Sequence, residues 1–147
     1  MRSARAHEMA DFYKIADAAP AYDRHMKITS VLIVESVAAS LEFWVGRMGF
    51  EKTIDVPAED GVSFAIVVKD GAELMLQSMS SVRRDEPKFA KPSYAALFIE
   101  VEDLEDVKKR LEGYPIAMPE RETFYGMREV GIFEPGGHTV IFAVKTA

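Results

Sequence analysis

Gly137-His138-Thr139-Val140-Ile141-Phe142 matches Gly71-Ala72-Glu73-Leu74-Met75-Leu76, a turn glycine leading into a strand in each case. Upstream of both, Val34-Glu35-Ser36-Val37 matches Val101-Glu102-Asp103-Leu104, so that one copy begins at Ile28 and the other at Ala95. An internal repeat of this kind decides the fold before composition does. It also supplies a register, placing Thr29 against Ala96 and Met75 against Ile141, in which equivalent positions can be compared.

Within the first copy, residues 28–34 are mostly β-branched and largely apolar on both faces, as an interior strand requires. Ser36 is a natural N-cap for a helix whose inward stripe reads Val37, Leu41, Trp44, Val45 and Met48, ended by Gly49. Residues 50–56 and 62–69 read as strands, and Asp70-Gly71 as a two-residue hairpin turn into 73–78. The unit is βαβββ. Residues 79–92 are mostly polar and carry Pro87 and Pro92, which predicts a connection without an element of its own. The second copy repeats the order: a strand at 94–101, a helix capped by Asp103 with Leu104, Val107 and Leu111 inward, a stop at Gly113 and Pro115, and strands at 118–124, 127–133 and 139–144. The expected organisation is an N-terminal extension at 1–27, a first module at 28–78, a linker at 79–92 and a second module at 93–147, the modules together forming one α+β domain. Two curled four-stranded sheets cannot bury their concave faces alone, and are expected to pair, within the chain or across a dimer, around a shared cavity.

Composition narrows the function classes. The chain has 147 residues, 48% hydrophobic and 29% charged, and at this size about 68–70% of the unfolded surface is buried on folding. Its net charge of -6 argues against a nucleic-acid partner, which needs clustered Lys and Arg to displace counterions. The short basic runs Arg83-Arg84 and Lys108-Lys109-Arg110 sit beside acids and read as solvated surface. Without cysteine there are no disulfides, thiolate metal sites or cysteine nucleophiles, and the expected compartment is the cytoplasm. No apolar run approaches the roughly 20 residues of a spanning helix, and no membrane partner is expected. Residues 1–25 differ in texture, with a weak amphipathic spacing at Met9, Phe12, Tyr13 and Ala16, and read as an appended segment.

The paired units, the helix text Ser40-Leu41-Glu42-Phe43-Trp44 with Gly49-Phe50 after it, and the hairpin text Asp70-Gly71-Ala72-Glu73-Leu74-Met75-Leu76-Gln77 resemble the vicinal oxygen chelate superfamily. Glu122-Thr123-Phe124-Tyr125-Gly126-Met127-Arg128-Glu129, followed by Glu134-Pro135-Gly136-Gly137-His138, is similar to its bleomycin-resistance and glyoxalase-like branch, with Glu134-Pro135 where the closing turn usually reads Asp-Pro. The resemblance implies a cupped mixed sheet in each module and, commonly, a homodimer with two pockets. It also implies four metal-ligand positions, on the first and fourth strand of each module, where metal-dependent members carry His, Glu or Gln.

Here those positions are Thr29, Met75, Ala96 and Ile141, none a ligand for a hard or borderline dication. Alternation along a strand puts Glu73 and Gln77 on the face of Met75, and Glu100 on the face of Ala96. His138 falls on the opposite face from Ile141 and is expected at a turn end in solvent, and His7 and His25 precede the fold. No Gly-x-Ser-x-Gly elbow or phosphate loop appears, and the pair Glu100 and Glu102 reads as solvated.

With no metal and no cofactor implied, the cavity floor is apolar and suits a hydrophobic or aromatic guest. Candidate walls are Trp44, Phe64, Met75, Phe98, Phe124, Tyr125 and Ile141, with Gln77 and Arg128 to orient the guest. The expected function is a metal-free, dimeric, small-molecule-binding protein that sequesters its ligand, with no catalytic residues to name. The alternative is a lyase, isomerase or dioxygenase of the same superfamily using a divalent metal at a displaced site.

Overall fold

In the computed structural model, residues 26–146 are described. The amphipathic pattern from Met9 to Ala16, and His7 and His25, lie outside them. The first sheet comprises β1 (Ser30–Val34), β2 (Glu51–Ala58), β3 (Gly61–Lys69) and β4 (Ala72–Ser78), in the order β1-β4-β3-β2. The second comprises β5 (Ala96–Glu100), β6 (Ile116–Glu122), β7 (Met127–Phe133) and β8 (Thr139–Lys145), in the order β5-β8-β7-β6. The same order twice confirms the tandem βαβββ architecture. β5 pairs parallel with β8, and the other described pairs are antiparallel.

β1 is an edge strand and not the interior strand its apolar run predicts. Its edge is closed by a side chain from the second module. His138 Nδ1 accepts the Ala95 N–H at 2.8 Å, which leaves Nε2–H to donate to the Ile33 carbonyl, also at 2.8 Å. The histidine is 1% exposed, so the expectation of a solvated turn residue is corrected: its ring bridges β1 and the entry to β5. Beside it, buried Glu134 accepts from Ser40 Oγ at 3.0 Å and from His138 N at 3.2 Å. A Cβ at Gly136 would stand 2.3 Å from Val34 Cγ1, so the closing turn of one module is seated directly on a strand of the other.

The first helix begins as α1 (Val37–Leu41), with Ser36 Oγ accepting from Ala39 N, and continues as a π-helical segment, Glu42–Arg47, ended by Gly49 at φ 75°. The wider turn shifts the inward stripe. Phe43 is fully buried while Val45 is 37% exposed, the reverse of a regular 3.6-residue reading. Phe43 gains two edge-to-face partners, Trp44 and Tyr114, each with ring centroids 5.0 Å away.

Residues 79–92 are not a plain connection: Ser78 caps α2 (Met79–Asp85), and Pro87–Phe89 form a single 3-10 turn. The signal was Ser78 itself, whose Oγ accepts from Ser81 N. In the second module Asp103 caps α3 (Leu104–Arg110) as expected.

One core joins the modules. Leu32, Val34, Phe43, Trp44, Ala65 and Leu76 belong to the same buried cluster as Leu104, Val107, Leu111, Val130, Ile132, Val140 and Phe142. The sheets therefore meet inside the chain through their helix-bearing faces, which leaves the opposite face of each sheet turned away from this core. Arg47 and Arg110 clasp the seam, each donating to the other's carbonyl at 3.3 and 3.2 Å, and Arg47 lies 5.4 Å above the Tyr114 ring.

Candidate functional site

The face of each sheet turned away from this core is its outer face. Ladder register and alternation assign it. On the first sheet, Val56, Phe64 and Gln77 stand side by side, and next to them Ile54, Ile66 and Met75. On the second sheet one row crosses all four strands as Phe98, Ile141, Gly131 and Met118, and the adjacent row as Glu100, Ala143, Glu129 and Arg121. Val130, Ile132, Val140 and Phe142, between these positions in sequence, point the other way into the core.

The two outer faces differ. Val56, Phe64 and Ile66 are buried, whereas Phe98 is 51% and Tyr125 52% exposed. Phe124, at the β6–β7 turn, is wholly exposed and packs edge-to-face on Tyr125 at 5.1 Å. Two small residues stand on the same outer face: Gly131 and Ala143 are fully packed, and a Cβ on Gly131 would lie 3.1 Å from Met118 Cβ and 3.7 Å from Ile141 Cγ1.

A polar group sits on this face. Glu129 is 1% exposed and accepts a short hydrogen bond from the Tyr125 hydroxyl, with Arg121 Nη2 at 3.4 Å. That hydrogen bond holds the Tyr125 phenol above its ordinary pKa, with partial desolvation and the carboxylate charge adding to the effect. Sequence reading passed over Glu129, Arg121, Gly131, Met118 and Ala143. The available signal was the alternation in Glu129-Val130-Gly131-Ile132, which sets an acid and a glycine on the face opposite two core residues.

The nine residues proposed from sequence divide into four groups. Phe98 and Ile141 are neighbours on the second sheet's outer face, Phe124 packs on Tyr125 at the β6–β7 turn, and Phe64, Met75 and Gln77 share the first sheet's outer face, where Gln77 donates to Ser81 Oγ at 3.2 Å. Trp44 and Arg128 belong elsewhere. Trp44 is fully buried in the helix-side core against Phe50 at 5.1 Å. Arg128 is on the helix side of β7, 3.3 Å from Glu120 and 3.5 Å from Glu105 of α3, because residue parity puts it on the face of Val130. Lys108 Nζ, 2.6 Å from Glu120, completes that network and draws the Glu120 carboxyl below its usual pKa.

Of the positions where metal-dependent relatives hold ligands, Met75 and Ile141 are half-buried apolar residues, Ala96 is exposed and Thr29 is a lone hydroxyl. Among the described residues no three His, Asp or Glu side chains gather as a metal site. The donor set does not fit a divalent cation.

Comparison with known proteins agrees with the architecture. The family model described as the Glyoxalase/Bleomycin resistance protein/Dioxygenase superfamily matches residues 25–142. Among solved structures, a glyoxalase/bleomycin resistance protein/dioxygenase from Nocardioides is 18% identical, covering 94% of this chain and 93% of that one, with a TM-score of 0.64. TioX from Micromonospora sp. ML1 is 17% identical over 82% of this chain and 99% of its own, TM-score 0.65. A lactoylglutathione lyase from Agrobacterium tumefaciens is 16% identical over 81% and 92%, TM-score 0.65. At these identities the likeness is one of fold. No curated protein matches the chain.

Proposed function

The chain belongs to the glyoxalase/bleomycin resistance protein/dioxygenase superfamily, and from that premise we propose that it is a small-molecule-binding protein holding a hydrophobic or aromatic compound on the outer face of its second sheet. The observation that carries this reading is that two aromatic side chains of the second module, Phe98 on its outer face and Tyr125 at the β6–β7 turn, are left half-exposed. Aromatic side chains gain from burial. The close approach that calls for a glycine at Gly131 is that of Met118, whose Cβ would lie 3.1 Å from a Cβ there.

The chemistry of such a protein is sequestration: the guest's apolar surface leaves water, and Tyr125, Glu129 and Arg121 orient its polar part. The four family positions contribute packing surface in place of metal ligands. A ligand at 100 times its dissociation constant stabilises by about 2.7 kcal/mol, a melting shift of roughly 5–11 °C at this chain length. A thermal-shift screen with planar aromatic compounds is expected to give shifts of this size, reduced in Phe98→Ser. A flat response across the screen would sink the reading.

A further inference from the structure

We propose that the π-helical segment Glu42–Arg47 is a two-register switch on the seam between the modules: in its π-register it grips the second module, and in a regular α-register it lets go. Met48 N–H reaches back five residues to the Phe43 carbonyl at 3.0 Å, and Phe50 N–H reaches back six, to the Trp44 carbonyl at 2.9 Å. A bond that spans five residues where an α-helix spans four leaves one residue in excess. The order of residues suits the other register. Val37, Leu41, Trp44, Val45 and Met48 form one stripe at 3.6 residues per turn, yet Val45 is 37% exposed, and Phe43, which lies off that stripe, is buried.

What holds the wide turn is the second module. Phe43 meets Tyr114 edge-to-face with ring centroids 5.0 Å apart, and the Arg47 guanidinium lies 5.4 Å over the same Tyr114 ring. Arg47 Nη1 also donates to the Arg110 and Glu112 carbonyls, each at 3.3 Å. In an α-register Phe43 and Arg47, four residues apart, still share a face, but that face lies outside the Val45 stripe, so both leave Tyr114 together. Costs internal to the helix oppose these contacts. Val45 keeps apolar surface in water, and Trp44 Nε1 is fully buried without a hydrogen-bond partner among the described residues, a cost that a register admitting water or an acceptor relieves. An aromatic pair and a solvent-exposed guanidinium contact on one side, and an exposed valine and an unpaired donor on the other, are effects of the same order. The two registers therefore lie close in free energy, and the contact with Tyr114 decides between them.

Trp44 is the single tryptophan of the chain and packs edge-to-face on Phe43 at 5.0 Å, so its indole N–H resonance carries a ring-current shift in one register that it lacks in the other. Relaxation dispersion at that N–H is expected to show exchange with a minor state. Deletion of Gly46, an exposed residue of the segment, is expected to make the minor state's resonance the major one. Tyr114→Ala removes the partner and should raise the minor population about tenfold, whereas Val45→Ser, which takes away the apolar gain of the α-register, should lower it about tenfold. Should the deletion not fold, the two substitutions decide. A flat dispersion profile in both the unmodified chain and Tyr114→Ala overturns the switch and makes the π turn a fixed element. A minor population that Val45→Ser leaves unchanged overturns it too, because local unfolding rather than a second register then accounts for the exchange.

Discussion

Phe64 and Glu129 stand at the same position of the repeat, and both are almost wholly buried, at 5% and 1% exposure. The ladders make the equivalence: Phe64 pairs with Gln77 and Val56, Glu129 with Ala143 and Arg121. One row further, Ile54, Ile66 and Met75 correspond to Met118, Gly131 and Ile141. A single backbone plan thus carries an outer face filled with bulky apolar side chains in the first module. In the second, that face is cut back to glycine and alanine around a buried acid. The strand order agrees, but β6 carries one residue more between Met118 and Arg121 than β2 does between Ile54 and Val56, so the difference lies in the side chains and in an irregularity of the outer strand.

The largest effect expected from breaking this comparison is in the filled module. Phe64→Ala removes a buried ring and should cost about 3–5 kcal/mol in denaturant unfolding, with little effect on aromatic guests of the second sheet. A cost below about 1 kcal/mol would show that the first outer face is not packed as its burial implies.

Gly136→Ala tests the seam on which both faces depend. The added methyl meets Val34 Cγ1 at 2.3 Å and Glu134 Oε1 at 2.5 Å, and should cost about 1–3 kcal/mol by overpacking. An unchanged melting temperature would mean that the two modules are not clamped at this turn.

Glu129→Gln makes the second face more like the first in charge. The Tyr125 phenol, raised above the ordinary 10.0 chiefly by its hydrogen bond to Glu129, should then titrate nearer that value, as followed by phenolate absorbance. The sign of the linkage follows from the direction of the shift. A phenol with a raised folded pKa contributes stability that is complete below about pH 10 and is lost as pH rises through the raised value, so alkaline unfolding should be less steep in the variant. An unmoved phenol titration would separate Tyr125 from Glu129.

The smallest change is expected on the helix side. Glu105→Gln removes one exposed partner of Arg128 and Lys108, and should alter stability by no more than about 0.5 kcal/mol and leave ligand binding untouched. Loss of aromatic binding in this variant would return Arg128 to the site from which its strand parity removes it.

Much of this molecule was legible in order of residues. The repeat, the alternation within 127–133 and 139–144, the caps at Ser36 and Asp103 and the glycine at the end of the first helix are local signals, because they depend on periods of two or 3.6 residues and on turn chemistry. The placement of Glu73 and Gln77 with Met75 followed from the same period and is what the ladder shows. Arg128 is polar like a binding residue but shares the parity of Val130, which sets it on the helix side, and Phe43 turns inward because a π-helical turn changes the period without a mark in composition.

His138, Glu134 and Ser40 show the other limit. Each is an ordinary polar residue in sequence, and only the approach of β1 to the second module gives the imidazole two backbone partners and the carboxylate two donors. By itself, the sequence determined two βαβββ units and four family positions without ligands for a metal, since both rest on residue type at a fixed spacing. Tertiary structure alone decided that the units join through their helix-bearing faces, and that Glu129 is buried beneath Tyr125 while Phe98 stays exposed. Burial is a property of what packs from elsewhere in the chain, and no local period encodes it.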